Sequence, residues 1–171
     1  EDALDSRLSG NKLYKLHGHL QLARQQSASR LLSFGGYYSN HLHALAHLGR
    51  ATGTATLGVV RGHAPSQLSP TLQDCLEQGM ELHFVSRQQY RHLREAGRNS
   101  MSALMAGLQQ AVPLNDPRMR ATYVIPEGGG GAAGLAGCAA IMSALRAQAD
   151  LRRATICVAC GTGTTLAGLL S

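Results

Sequence analysis

Short apolar runs alternate along the chain with longer segments whose apolar residues recur every three or four positions. Strand-like runs fall near 31–35, 55–60, 81–85, 122–125 and 154–160. Helical periodicity falls near 11–26, 40–49, 70–79, 88–111, 133–148 and from 164 onward. In the first helix Leu13, Leu16 and Leu20 form the apolar stripe. The run from Ala154 to Ala159 is continuously apolar, the pattern of a strand buried on both faces in a parallel sheet. Gly49, Gly62, Pro65, Gly79, Pro113 and Pro117 mark turns. Strands that alternate with helices argue for an α/β fold with a parallel sheet. No internal repeat or low-complexity linker interrupts the pattern.

Candidate chemistry sits where strands hand over to helices. After the run ending at Ala159 comes Cys160-Gly161-Thr162-Gly163-Thr164-Thr165-Leu166-Ala167-Gly168. Glycines let the backbone come close to an anion, free N–H groups point at it, and the start of a helix favours negative charge. The loop therefore suits a phosphate group. It is not a Walker loop, because no lysine follows the glycines, and Leu166 stands where a dinucleotide fingerprint needs its third glycine. A glycine turn without function also fits this loop taken alone.

Near the start, Leu8-Ser9-Gly10-Asn11-Lys12-Leu13-Tyr14-Lys15-Leu16 reads as a helix beginning, with Ser9 as N-cap. Lys12 falls in the first turn, with Lys15 on the same face. A cation is disfavoured at that end of a helix and beside a second lysine, so the amine of Lys12 is expected to be readily neutral. A neutral amine is what a Schiff-base lysine presents to an aldehyde. Two solvated lysines on a surface helix are the plainer alternative. The third segment, Leu31-Leu32-Ser33-Phe34-Gly35-Gly36-Tyr37-Tyr38-Ser39-Asn40-His41, reads as strand, glycine turn and capped helix. Its small polar side chains can face a ligand, or Ser39 or Asn40 can simply cap the helix.

These three segments, in this order, resemble the fold-type II pyridoxal-phosphate enzymes, and most of all the branch containing D-cysteine desulfhydrase and 1-aminocyclopropane-1-carboxylate deaminase. Glu1-Asp2 is similar to the tail of that family's Lys-Arg-Glu-Asp motif, and Ser9-Gly10-Asn11-Lys12 to its Gly-Gly-Asn-Lys. The resemblance implies that Lys12 carries the cofactor as a Schiff base and that Lys15 supports the site. It implies that Ser39 touches the substrate, that Asn40 bonds the cofactor's ring hydroxyl, and that Gly161, Thr162, Gly163, Thr164 and Thr165 cradle the phosphate. It also implies a tryptophan synthase β-like architecture of parallel sheets flanked by helices. Residues 1–28 and 122–171 would belong to a large cofactor-binding domain and 29–121 to a small one. Glu127 to Gly131, a second glycine-rich loop, would lie on the cofactor side, or serve only as a connection.

The expected activity is α,β-elimination from a small amino acid, D-cysteine by first choice, giving a keto acid and ammonia. Lys12 would remove the α-proton, Lys15 and His41 would tune protonation, and Ser39 would orient the substrate. His41 follows Ser-Asn as in the desulfhydrases, where the deaminases carry Gln. Ser9 in place of glycine and Tyr14 in place of arginine depart from the pattern, as does the stretch from Gly58 to Leu72. A deaminase, a β-replacing synthase of the same fold and a non-catalytic phosphate-binding protein are the alternatives. With 171 residues the chain has about half the length such enzymes have, and a fragment truncated at both ends, inactive by itself, is expected. The other half would supply the partner of the pyridine nitrogen, and the full-length protein would be a homodimer.

Composition narrows the alternatives. Hydrophobic residues at 44% and charged residues at 15% support a globular core. A net charge of +6 raises the question of nucleic acid, but the arginines are scattered and aromatics make up only 4%, so no basic–aromatic stripe forms. No apolar run approaches a membrane span and no signal peptide precedes Glu1, so a cytoplasmic protein with reduced cysteines is expected. Cys157-x-x-Cys160 lacks a second pair, and His43 and His47 enclose Ala-Leu-Ala without the glutamate of H-E-x-x-H. No metal is expected.

Overall fold

A computed structural model describes residues 10–112 and 121–171. The N-cap expected at Ser9, the Glu1-Asp2 match and the turns at Pro113 and Pro117 lie outside the described residues. Helix α1 (Lys12–Gln25) leads into strand β1 (Arg30–Gly35), and α2 (Asn40–Thr52) into β2 (Ala55–Arg61). Then follow α3 (Pro70–Glu77), β3 (Met80–Val85), α4 (Arg87–Asn99), α5 (Met101–Ala111) and β4 (Thr122–Val124). A 3-10 turn (Glu127–Gly129), α6 (Gly131–Gln148), a second 3-10 turn (Leu151–Arg153) and α7 (Thr164–Leu170) complete the described chain.

The four strands form one parallel sheet in the order β3-β2-β1-β4. Leu32 pairs with Leu57 on one side and Val124 on the other. The boundary expected at 121/122 thus falls at the start of a strand of this sheet. Alternate residues of each strand enter different cores, as strand geometry requires. Leu31 and Val60 pack with Leu16, Leu42, Leu45 and Leu72. Leu32 and Val59 pack on the other face with Tyr90, Leu93, Leu104 and Leu108. Helices α1 to α3 therefore cover one face and α4 and α5 the other, which is why the strands read as continuous apolar runs.

Serines open α2 to α5. Ser39, Ser69, Ser86 and Ser100 each accept a hydrogen bond from a backbone N–H of the first turn, and Ser86 forms a capping box with Gln89. Ser100 corrects the single helix expected at 88–111. Its backbone is extended (φ −164°, ψ 157°) and its hydroxyl accepts from Ala103 N at 3.1 Å, so one helix ends and another begins there.

The strand expected at 154–160 is not formed. The segment has no regular structure and most of it is exposed, Ile156 at 42%. A strand exists only when paired with a neighbour, and this segment pairs with none of the four described strands. An apolar run marks a segment fit for burial, but pairing is a property of the surroundings.

Helix α6 crosses α1 closely. A Cβ at Gly137 would fall on the carbonyl oxygen of Tyr14, and one at Gly18 would lie 2.5 Å from that of Ala133. This contact fixes the first turns of α1, and with them Lys12 and Lys15, relative to α6 and the loop before α7. No helix among the described residues is long and apolar enough to cross a membrane.

Candidate active site

The sequence contains two lysines, Lys12 and Lys15, and both line one cavity of about 200 Å3. Its opposite wall is Cys160, Gly161, Thr162, Gly163, Thr165 and Leu166. The amino-terminal helix and the glycine–threonine loop, some 150 residues apart in the chain, thus face each other. Gly163, the residue before α7, has a left-handed backbone (φ 80°) that turns the loop into the helix.

The Lys12 amine donates to Asn11 Oδ1 at 2.5 Å, and the Asn11 amide donates to Thr165 Oγ1 at 2.5 Å. Asn11, a motif position to which the sequence assigns no role of its own, ties the lysine to the loop. Burial first, and the neighbouring charge of Lys15 second, hold the Lys12 amine below its ordinary pKa. Desolvation therefore ranks above the like charge that the sequence suggested. Lys15 donates to the Gly128 carbonyl at 3.3 Å, and burial lowers its pKa as well.

Gly128 lines the same cavity, which gives the Glu127–Gly131 loop a place at the site. The next residue, Gly129, has φ 72°, and a Cβ there would sit 3.0 Å from Lys15 Cβ and 3.4 Å from His41 Cε1. His19, missed by sequence reasoning, holds the loop from below. Its Nε2–H donates to the Gly130 carbonyl at 2.9 Å, and its Nδ1 accepts from the Tyr123 hydroxyl at 3.1 Å. Burial lowers its pKa, and its only sequence signal was a histidine on the apolar side of α1.

His41 is buried behind the lysines. The Ser33 hydroxyl donates to the Ile125 carbonyl at 2.9 Å, so at the 2.9 Å contact between Ser33 Oγ and His41 Nε2 the imidazole must be the donor. That leaves Nδ1 as a buried acceptor with no hydrogen-bond partner among the described residues. Burial, with the charges of Lys12, His19 and Lys15 behind it, pushes the His41 pKa down to about 3.

The remaining candidates are placed differently. Ser39 accepts from Leu42 N at 3.2 Å and is the N-cap of α2. Asn40 begins that helix and is exposed. Neither lines the lysine cavity. Thr164 is buried on the far side of the loop, with its hydroxyl 3.2 Å from that of Thr162.

No family model matches the chain. It is 28% identical, over 99% of its length and 42% of the relative's, to a mitochondrial bifunctional D-cysteine desulfhydrase/1-aminocyclopropane-1-carboxylate deaminase of Arabidopsis thaliana. It is 29% identical, over 94% of its length and 48% of the relative's, to a putative 1-aminocyclopropane-1-carboxylate deaminase of Thermotoga maritima. The chain spans about half the length of these curated relatives. Among solved structures, an ACC deaminase homologue aligns with a TM-score of 0.70 at 24% identity, covering 94% of this chain and 46% of that one. An L-serine ammonia-lyase from Rhizomucor miehei aligns with a TM-score of 0.54 at 19% identity, covering 92% and 44%. The fold is accordingly the helix-flanked parallel α/β architecture of fold type II, as the sequence motifs implied. Within that class, the resemblance to the branch of D-cysteine desulfhydrase and 1-aminocyclopropane-1-carboxylate deaminase is borne out by both curated relatives.

Proposed function

We propose that this chain forms the lysine-bearing half of a pyridoxal-phosphate-dependent lyase or deaminase, and that the whole enzyme carries out α,β-elimination on a small amino acid such as D-cysteine. The observation that carries this reading is the convergence of both lysines of the sequence on one cavity opposite a glycine–threonine loop. The donor set suits the cofactor. A half-buried amine of lowered pKa is matched to an aldehyde, and the backbone N–H groups before α7 are matched to a phosphate.

Lys12 would hold the cofactor's aldehyde carbon, and Gly161 to Thr165 its phosphate. Pyridoxal phosphate supplies an electron sink for negative charge at the substrate's α-carbon. Lys12, whose burial favours the neutral amine, would accept the α-proton at Nζ. Asn11 keeps that amine beside the loop. Lys15, tethered to the Gly128 carbonyl, keeps a positive charge nearby that opposes protonation of Lys12. His41 stays neutral behind both and offers Nδ1 as an acceptor. Ser39, the N-cap of α2, would orient the substrate, and Asn40, exposed at the start of the same helix, would bond the cofactor's ring hydroxyl. The whole enzyme would divide into a large domain (1–28 and 122–171) and a small one (29–121), and it would be a cytoplasmic homodimer.

The test is hydride reduction of the complete gene product in the presence of pyridoxal phosphate, followed by peptide mapping. A pyridoxyl label on Lys12, absent from Lys12→Ala, together with sulfide and pyruvate release from D-cysteine, supports the proposal. A label on Lys15 or no label overturns the lysine assignment. A label on Lys12 with ammonia released from 1-aminocyclopropane-1-carboxylate and none from D-cysteine moves the activity to the deaminase reading, which both curated relatives' names support.

A further inference from the structure

Helices α2 and α3 meet through three side chains that the proposed reaction does not use. His43 and His47 lie one turn apart on α2, so their rings share a face, with centroids 4.6 Å apart. Asp74 reaches them from α3. Its Oδ2 lies 2.7 Å from Nε2 of His43 and 2.7 Å from Nε2 of His47. All three candidate ligand atoms lie within 4.8 Å of one another. The other carboxylate oxygen accepts from Gln78 Nε2 at 3.2 Å, which fixes the carboxylate plane. The three side chains are half-buried rather than free on the surface, at 34%, 12% and 32% exposure for His43, His47 and Asp74.

We propose that His43, His47 and Asp74 form a binding site for one divalent transition-metal ion of the zinc class. The histidine pair lacks a carboxylate between its members, which is why the sequence argued against a metal. The structure supplies the carboxylate from a residue 27 positions further on. Two imidazoles directed at one carboxylate oxygen are a convergent donor set. When each ring carries its proton on Nδ1, both Nε2 lone pairs and the carboxylate face the same point. Two nitrogens and one oxygen suit zinc, cobalt or nickel, whereas calcium and magnesium call for oxygen donors. Three protein ligands leave a coordination position for water. None of the three residues lines the lysine cavity. The ion would clamp α2 to α3, and α2 carries Ser39, Asn40 and His41 at its start.

The rival site is Cys157 and Cys160, two free and exposed thiols. Cobalt(II) titration of the purified, chelator-treated protein separates the two, because thiolate ligands add intense near-ultraviolet charge-transfer absorption that imidazole and carboxylate ligands do not. The expected result is one equivalent of cobalt with visible ligand-field bands and no thiolate band, displaced by zinc. Binding should persist in Cys157→Ser/Cys160→Ser and weaken by about tenfold or more in His43→Ala and in Asp74→Asn. His43 is the more exposed of the two histidines, so its variant keeps the core intact, and circular dichroism checks that it folds. Zinc should also raise the melting temperature of the parent protein but not of Asp74→Asn. Absence of binding with cobalt in excess, or binding that follows the cysteines instead of the histidines, overturns the proposal.

Discussion

Asn11 and Thr165 stand 154 positions apart in the chain, and the amide of the first donates to the hydroxyl of the second at 2.5 Å. The same asparagine accepts from Lys12. One side chain therefore couples the start of α1 to the start of α7. Asn11→Ala removes both contacts without altering either helix interior. The expected cost is about 1–2 kcal/mol of stability, because Thr165 is buried and loses its partner. Urea unfolding of the variant beside the parent measures it. An unchanged midpoint would show that the coupling carries no weight.

Gly129 is the second point of close fit. Its backbone is left-handed and its missing Cβ leaves room for Lys15 and His41. Gly129→Ala adds backbone strain of about 1–2 kcal/mol and presses on both side chains. The variant should unfold at lower urea, and its lysines should become more accessible to amine reagents. Gly161→Ala is the control, since a Cβ there meets nothing within 4 Å and its φ is not left-handed.

The acid limb of stability should report His41. Its folded pKa, about 3, lies below the unfolded value of 6.5, so between these pH values the unfolded chain binds a proton that the folded chain does not. Stability is then fully present above pH 6.5 and falls as the pH drops towards 3, by up to a few kcal/mol from this residue. His19, lowered in the same direction, adds to the slope. His41→Asn removes the titrating group and should flatten the loss between pH 6.5 and 4 when urea midpoints are compared with the parent. Equal slopes in the two proteins would place the acid sensitivity elsewhere.

Much of this was legible from the chain because it depends on neighbours in sequence. The strands Arg30–Gly35 and Ala55–Arg61 announce themselves as apolar runs, and Ser39 before Asn40 announces a cap. Lys12 and the loop from Gly161 stand out by motif and by the chemistry of helix starts, and they line one cavity. What was misread depends on distant partners or on one hydroxyl. Ile156 sits in an apolar run as strand-like as the others, but it is exposed and its segment pairs with no described strand. Ser100 continues the helical pattern in sequence, and only its side chain, turned back to accept from Ala103 N, starts a new helix there. Asp74 gave no sign that it would close on His43 and His47, because only the packing of α3 on α2 brings it there.

Lys15 gives the sharpest test of the electrostatics around Lys12. Two effects lower the Lys12 pKa from 10.5, burial above all and the charge of Lys15 next. Lys15→Met removes the charge and keeps the length of the side chain. Burial remains, so the Lys12 pKa should rise yet stay below 10.5. The pH dependence of amine acetylation, read by mass spectrometry on the Lys12 peptide, measures that midpoint directly. With Lys15 replaced, the peptide that carries Lys12 holds no second lysine, so its label is unambiguous. A midpoint that stays put would mean that Lys15 does not act on its neighbour through charge. One that reaches 10.5 would mean that the variant has opened the cavity to water, so that burial no longer holds the amine down.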